Sequence, residues 1–429
     1  MSTKFLFVSW EGLIADIAWQ VIKEGHEAKL WIQNPEERGI AEGFVPKADD
    51  WKREVDWADV VVFDDVLGMG ALAEELRSAG KPVVGGSPYT DRLEDDRAFG
   101  QQELKAVGVS IIPHENFTSF DEAVKYVEAN PNRYVIKPSG EAQNIKRLLF
   151  VGEEDDGRDV IQVLQDYKRA WSDKVKEFQL QRRIMGVEVA VGAFFNAKEF
   201  VTPVCVNFEH KKLFPGDIGP PTGEMGTSMF WSEPNRLFNA TLKKMEAKLA
   251  EARYTGYIDI NCIVNNNGIY PLEFTSRFGY PCVSIQQEGL LTPMGDLLRE
   301  LAAGTGTRLR ARSGFQIGVR IVVPPFPYND PETLENTSKD SVILFKTPSR
   351  EGIHIEDVRT ADGEWLVTGT SGVVLIVCGA GPTMKQAQRQ AYNRVRNIMI
   401  PHMYYRDDIG ERWSEDSDRL HAWGYLREA

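Results

Sequence analysis

The stretch Gly256–Pro281, GYIDINCIVNNNGIYPLEFTSRFGYP, leaves the chain few ways to fold around it. It holds two short alternating runs, YIDINCIV and IYPLEF, joined by Asn-Asn-Asn-Gly, a sequence that readily takes positive φ and so predicts a tight hairpin. Strand alternation puts Tyr257, Asp259 and Asn261 on one face and offers Ile258, Ile260 and Ile263 to a core. The second run ends at Glu273 and leads at once into Thr275, Arg277 and Gly279. Two carboxylates at facing strand positions, Asp259 and Glu273, with an arginine one loop away, suit a hard divalent cation carrying phosphate oxygens. An edge hairpin with solvated acids is the other reading of the same residues.

Composition removes several classes of function. A chain of 429 residues with 42% apolar content has material for roughly two to four domains with sizeable cores. A formal net charge of −13 argues against nonspecific nucleic-acid binding, which needs concentrated Lys and Arg, though it leaves room for a local basic cleft. Cys205, Cys262, Cys282 and Cys378 are far apart among apolar residues, so buried free thiols in a reducing compartment are expected rather than a zinc knuckle or a disulfide framework. No charged-then-apolar leader opens the sequence, and no run reaches the ~18 apolar residues of a membrane span, which predicts a cytoplasmic protein without a membrane partner.

The first part of the chain alternates strands with helices. Lys4–Ser9, Glu27–Ile32, Val60–Phe63 and Pro82–Val84 read as strands, with helices over Leu13–Glu24 and Ala71–Ala79 closed by Gly25 and Gly80. This spacing implies a small parallel sheet with crossover helices, whose ligands sit at the carboxyl ends of the strands. Gly68-Met69-Gly70 followed by Ala73 mimics a GxGxxA dinucleotide fingerprint, the basis of an alternative reading as a dinucleotide-dependent oxidoreductase, but it follows a later strand than the motif requires. Helices are then expected over Asp95–Val107, with Phe99, Leu104 and Val107 inward and Gly108 as its stop, and over Asp121–Ala129, capped by Ser119 or Asp121. The strand Arg133–Lys137 ends in a lysine before Pro138-Ser139-Gly140, well placed to neutralise a phosphate. Gln179–Gly192 reads as strand, turn and strand, and Pro215–Thr227 as a long Gly/Pro-rich functional loop. After a basic linker, Gly304–Ser313, strands are expected at Phe315–Val323, Val342–Lys346, Trp365–Thr370 and Val373–Cys378, with a closing helix over Met384–Ile398 and a surface-packed tail beyond Tyr405.

Taken in order, RAFGQQELKAVGV, VIKPSG, QRRIMGVE, EHKK, GDIGPPTGEMG, LEFTSRFGYP and RDDIGERW resemble the glycinamide ribonucleotide synthetase family, the ATP-grasp ligases of purine synthesis. The resemblance runs from about residue 90 to residue 413 and implies an α/β and α+β multidomain fold. Its parts would be an N-terminal preATP-grasp parallel-sheet domain (1–90), an ATP-grasp domain (91–305) of two α+β subdomains at about 113–178 and 179–303, and a β-rich C-terminal domain with a closing helix (314–429). It also implies a monomer or small homo-oligomer that binds ATP with Mg2+ or Mn2+, a small carboxylate and an amine.

Residue by residue, the resemblance matches Lys137 to the phosphate-binding lysine and Arg97 to a second phosphate contact. Lys146 stands near the end of the phosphate loop, Gln181 at the hinge that reads the adenine amino group, and Glu188 at the ribose contact. Glu273 matches the main metal ligand, with Asp259 or Thr275 as the second, and Arg277 would face the acyl phosphate. His210, Lys211, Asp217, Gly219, Thr222 and Gly223 fall in the segments near the small substrates, with loop orientation as the other role for His210.

The sequence departs from the family in three places. The GxxxGKG phosphate loop is reduced to Gly140-Glu141-Ala142-Gln143-Asn144-Ile145-Lys146, Thr275 replaces asparagine, and the turn after the first strand reads Ser9-Trp10-Glu11-Gly12-Leu13, a poor host for a phosphorylated amine. The implied chemistry is an ADP-forming carboxylate–amine ligation through an acyl phosphate, with the amine partner diverged; a nucleotide-binding module without turnover is the alternative.

Overall fold

The structure, a computed structural model, describes residues 2–64, 68–139, 142, 145 and 148–426. Its first unit runs β1 (Lys4–Ser9), α1 (Ala15–Lys23), β2 (Glu27–Ile32), α2 (Trp51–Glu54), β3 (Val60–Phe63), α3 (Gly70–Ser78) and β4 (Val83–Val84). The strands form the expected parallel sheet in the order β2-β1-β3-β4. Phe5 and Phe7 pack on one side of β1 and Leu6 and Val8 on the other, the two-faced burial that crossover helices impose. At the carboxyl edge the Ser9 hydroxyl donates to Asp64 and accepts from the Gly12 N–H at 2.7 Å.

The glycines at 68 and 70 serve the fold. Gly68 takes φ +74, and a Cβ on Gly70 would lie 2.5 Å from the Ser87 carbonyl. The Gly70 N–H donates to Asp91 Oδ2 at 3.0 Å, so the close approach that demands glycine is to the chain's own backbone.

The helix expected over Asp95–Val107 is α5 (Arg97–Ala106), and a further helix, α4 (Pro88–Asp95), precedes it. α4 opens on a Ser87–Thr90 capping box, and Asp96 then breaks helical geometry and caps α5 by accepting the Phe99 N–H. Leu104 is buried, whereas Phe99 and Val107 are only half-buried. The next unit comprises β5 (His114–Phe117), α6 (Phe120–Ala129, capped by Ser119), β6 (Tyr134–Pro138), β7 (Phe150–Val151), α7 (Arg158–Ala170) and β8 (Phe178–Arg182). Its antiparallel sheet, in the order β5-β8-β6-β7, covers a separate apolar core that includes Tyr134, Ile136, Phe178 and Leu180.

The remainder is built on one large sheet. Its elements are β9 (Val187–Asn196), β10 (Phe200–Phe214), β11 (Ile218–Ser232), α8 (Arg236–Ala240), α9 (Glu246–Glu251), β12 (Thr255–Asn265), β13 (Gly268–Thr275), α10 (Cys282–Gly289), α11 (Met294–Ala302) and β14 (Phe315–Val322). There follow α12 (Pro331–Thr337), β15 (Leu344–Phe345), β16 (Ile353–Ile355), β17 (Val358–Ala361), β18 (Glu364–Val367), β19 (Val373–Gly381), α13 (Met384–Val395), β20 (Ile398–Met399) and α14 (Trp413–Ala422). Eight strands pair in the order β13-β12-β9-β10-β11-β14-β19-β16, so the C-terminal strands continue the sheet begun at β9. The closing helix buries Ala387, Ala391 and Val395 as expected but ends at Val395, so Ile398, expected on the same face, lies in β20.

Three local expectations need correction. The segment Pro215–Thr227 is mostly strand: β10 and β11 form a long hairpin whose tip uses positive φ at Gly216, Asp217 and Gly219. Register shifts at His210/Lys212 and Lys212/Phe214 absorb Pro220 and Pro221, which cannot donate to a regular ladder. Ile263 is half-buried on the polar face, because unbroken alternation along β12 sends Ile258, Ile260, Cys262 and Val264 to the core. The β12–β13 turn is tight but uses no positive φ; Asn265 Oδ1 accepts the Asn267 N–H at 2.9 Å instead.

All four cysteines are buried free thiols. No helix among the described residues is long and apolar enough to cross a membrane.

Candidate active site

The β12–β13 hairpin sets out the first residues of the site. Asp259 pairs with Thr275 and Asn261 with Glu273, so all four side chains leave the same face of the sheet. Leu272 is the extra residue of a bulge beside Pro271, and β13 is the sheet edge, which leaves the Glu273 side chain 56% exposed. The solvated-edge reading thus holds for Glu273 and fails for Asp259. Burial raises the Asp259 carboxyl well above its usual range, Glu209 adds to this, and the Thr275 hydroxyl opposes it.

Lys211 draws the neighbouring acids together. Its Nζ lies 2.8 Å from Glu188 Oε1, 3.2 Å from Glu209 Oε2 and 3.7 Å from Glu273 Oε1. Asn261 Nδ2 also donates to Glu188 Oε1 at 2.9 Å. Burial acts to lower the Lys211 ammonium, but Glu209, Glu188 and Glu273 outweigh it and hold the pKa well above the ordinary lysine value. Burial likewise acts to raise Glu188, and Lys211 brings it below the usual range.

The small sheet supplies the opposing wall. Lys137, at the end of β6, is half-buried, and burial followed by repulsion from Arg97 brings its ammonium down to about 8, with Glu273 pulling the other way. Arg97 starts α5 and donates to the Pro138 carbonyl at 3.1 Å. Lys137, Arg97, Glu188, Lys211 and Glu273, drawn from three separate parts of the chain, therefore meet in one cleft. Gln181 lies in the centre of the small sheet, 1% exposed, with its Nε2 unpartnered. Lys146 lies outside the described residues, as do Gly140, Glu141, Gln143 and Asn144.

Arg277 closes the cleft toward the N-terminal sheet. Its Nε lies 3.0 Å from Glu94 Oε1, while Glu94 Oε2 accepts the Ser276 N–H at 2.8 Å. Burial works against the guanidinium, but Glu94, Tyr280, Asp259 and Asp64 keep it charged. Asp64 stands at the carboxyl edge of the parallel sheet, where such folds place ligands.

The remaining expected substrate residues divide between two places. Thr222 stays beside Lys211, donating to its carbonyl at 2.9 Å, and Gly223 is exposed on the same strand. His210 points the other way, its Nδ1 3.1 Å from Arg406 Nη2 and its Nε2 accepting the Gly410 N–H at 3.3 Å. Burial, then Arg412 and Arg406, bring its imidazole down to about 4, so it is neutral at ordinary pH. Asp217 is committed to Arg406 (2.9 Å) and Arg412 (2.8 Å), and a Cβ on Gly219 would lie 2.4 Å from the Phe214 ring.

The tail after Tyr405 is therefore no surface packing. Arg406 is fully buried and pairs with Asp217 on the hairpin tip and with Asp408 of its own segment, which compensates the burial of its charge. The matched segments contain Glu209, Glu224 and Arg406 without giving them a role, and sequence alone singles out neither Glu94 nor Arg320. Glu209 was within reach, since alternation places it on the face that carries Lys211.

A divalent cation suits the hairpin. Among the described residues no group of three or more His, Cys, Asp or Glu side chains could hold a metal ion. Magnesium, however, is commonly bound by one or two carboxylates plus phosphate oxygens and waters. Glu273 has an exposed carboxylate whose nearest ion-pair partner is 3.7 Å away, with Thr275 and Asp259 beside it on the same face.

Comparison with known proteins agrees with this geometry. Residues 95–283 match the family model for the phosphoribosylglycinamide synthetase ATP-grasp (A) domain, and residues 331–412 match that for the C domain. The phosphoribosylamine–glycine ligase of Halalkalibacterium halodurans is 26% identical over 361 residues, 80% of each chain. In structure, the phosphoribosylamine–glycine ligase of Thermotoga maritima superposes with a TM-score of 0.69 at 20% identity, covering 95% of this chain and 100% of that one. A biotin carboxylase from Campylobacter jejuni gives 0.64 at 12% identity, covering 98% and 97%. With two successive domain models matched in order and a common fold, the chain belongs to the phosphoribosylglycinamide synthetase family of ATP-grasp proteins.

Proposed function

We propose that this protein is an ADP-forming ligase that joins a small carboxylate to an amine. The observation that carries the reading is the cleft in which the cations Lys137, Arg97 and Lys211 lie beside the acids Glu188 and Glu273, charges for phosphate oxygens next to carboxylates that would hold a divalent cation. Lys137 and Arg97 hold the β- and γ-phosphates of ATP, Glu188 takes the ribose, and Gln181 and the hinge after it take the adenine. A divalent cation on Glu273, with Asp259 or Thr275, would neutralise phosphate charge.

The substrate carboxylate attacks the γ-phosphorus, the bond to the β-phosphate oxygen breaks, and ADP leaves an acyl phosphate beside Arg277. The amine then adds to the acyl carbon, loses its proton and displaces phosphate to leave the amide. No protein nucleophile is needed; position and fixed charge lower the barrier. The amine enters along the carboxyl edge of the N-terminal sheet. There the Asp64 carboxylate, tied to Ser9 and the Trp10 N–H, disfavours a phosphate and favours an unphosphorylated amine. Residues 1–90, 91–305 and 314–429 act as the three units of the enzyme, and the cytoplasm is its compartment.

The test is ADP release with purified protein, ATP and magnesium, first with glycine plus phosphoribosylamine and then with glycine plus small amines. ADP formation that requires both an acid and an amine is expected. Release that ignores the acid refutes the ligase reading.

A further inference from the structure

Helix α1 is pinned near both of its ends by carboxylates that reach across to distant parts of the chain. At its far end Glu24 accepts the Met294 N–H at 3.0 Å and the Gly295 N–H at 2.8 Å, both at the start of α11. At its near end Asp16 has three partners. Its Oδ1 accepts the Ile355 N–H at 3.1 Å, and its Oδ2 accepts His354 Nδ1–H at 2.7 Å and Gln287 Nε2–H at 2.9 Å. Asp16 is 2% exposed and His354 7%.

An acid in the first turn of a helix ordinarily stays in solvent and acts on the helix through its dipole. Asp16 instead joins α1 to α10 and β16, at residues 271 and 338 positions further along the chain. Burial acts to raise its carboxyl, and His354 brings it below the usual range, so the group is a carboxylate and accepts all three bonds. His354 Nε2 and Gln287 Oε1 are buried there without a partner among the described residues. An apolar contact of the same size would avoid both, so the junction adds geometry more than stability.

What the junction holds is the start of α1. Ile14 gives the helix no side-chain cap, and the Ser9–Leu13 turn is bonded straight onto it. The Gly12 carbonyl accepts the Ala15 N–H at 2.9 Å, and the Gly12 N–H donates to Ser9 Oγ at 2.7 Å. Ser9 Oγ and the Trp10 N–H in turn hold Asp64, on the edge along which the amine enters. Asp16 and Glu24 stand about 12 Å apart along the helix. Without the Asp16 pin, α1 pivots on the Glu24 pin and carries the turn with it, while the edge-to-face rings of Trp19, Phe44 and Trp365 keep the N-terminal unit docked. We infer that Asp16, anchored by His354 and Gln287, is a positioning residue for the amine: it fixes the Ser9–Leu13 turn and Asp64 relative to the acyl phosphate beside Arg277. This rests on the ligase reading for the two-step reaction.

The experiment separates the two steps. Wild type and variants receive ATP, magnesium and glycine, first with hydroxylamine and then with the amine that gives the most ADP in the screen above. Hydroxylamine is small enough to reach the acyl phosphate unguided; its nitrogen adds to the acyl carbon, loses a proton to solvent and displaces phosphate, leaving a hydroxamate. Asp16→Ala should lower kcat/KM for the amine by about tenfold or more, with hydroxamate formation and KM for ATP within about twofold of wild type. His354→Leu should move the amine in the same direction, and His354→Asn, whose amide nitrogen replaces Nδ1, should restore it toward wild type. That contrast reads the hydrogen bond even where Asp16→Ala fails to fold. Equal losses with hydroxylamine and amine overturn the inference, as do wild-type amine kinetics in the variants or His354→Asn no better than His354→Leu. A wild type that uses hydroxylamine as well as any amine in the screen has no amine position to fix and overturns it too. All of these leave the ligase standing, whereas absence of ADP release from the wild type with every pair removes the ligase reading and the inference with it.

Discussion

Lys137 gives the cleft a pH dependence that can be worked out in advance. Burial first, and Arg97 next, bring its ammonium to about 8 in the unliganded protein, while Glu273 and Glu188 act to raise it and Lys211 to lower it. Because kcat/KM reports ionisations of the free enzyme, the charged fraction of Lys137 should fall from about 90% at pH 7 to about 9% at pH 9, and kcat/KM for ATP should fall about tenfold with it. Stability moves the opposite way. The folded pKa lies below the unfolded lysine value of 10.5, so between about 8 and 10.5 the unfolded chain binds more protons, and the unliganded protein gains stability as pH rises. Loss of activity with gain of stability separates titration of this lysine from alkaline unfolding. Arginine stays charged across the range, so Lys137→Arg should flatten the alkaline limb whatever its absolute rate, and Lys137→Ala should lower kcat/KM at pH 7 by about 10²-fold. The assay is coupled ADP release from pH 6.5 to 9.5. A flat wild-type profile, or an unchanged limb in Lys137→Arg, refutes the assignment.

Two further perturbations test the frame. Glu273→Gln keeps shape and removes charge, so magnesium-dependent nucleotide binding should weaken by at least about tenfold with an unchanged circular dichroism spectrum; wild-type affinity would place the metal elsewhere, and no gain from Thr275→Asn would favour Asp259 as second ligand. Arg406→Ala strands Asp408 and half the pairing of Asp217, and since Arg412 and the Gly216 N–H still serve them the cost should fall near the low end of the range for a broken buried pair, about 3 kcal/mol; an unchanged urea midpoint contradicts it.

Local rules carried the sequence reading where a segment's own pattern decides its state. The four parallel strands, the β12–β13 hairpin, the Ser119 cap and the Gly108 stop depend on alternation, turn residues and capping chemistry within a few positions. The reading failed where distant partners decide. Pro215–Thr227 looks like loop because its Gly and Pro content lowers strand propensity, yet pairing with β10, joined by β14 at Gly226 and Thr227, overrides it. Asp96 reads equally well as a helix residue or as a cap. For the site, Lys137, Arg97, Glu188, Lys211 and Glu273 could be named from the order of motifs. What Glu224, Arg320 and Arg406 do is set by residues about 100 to 200 positions away, and no window of sequence contains that information.

The strand β10 shows how the two kinds of information meet. Lys211 and His210 are neighbours in sequence, and the pleat sends them to opposite faces, Lys211 into the acids of the cleft and His210 into the clamp formed by Arg406 and Gly410. Asp217, three residues past the end of β10, is gripped by the same Arg406. The clamp therefore fixes the strand from behind, and with it the depth at which Lys211 meets Glu188, Glu209 and Glu273. Removing Arg406 should thus act on the cleft as well as on the fold, because an end of β10 freed on one face loses its register on the other. Arg406→Ala should therefore lower kcat/KM for ATP as well as stability, and an unchanged kcat/KM in a folded variant would confine the clamp to the fold.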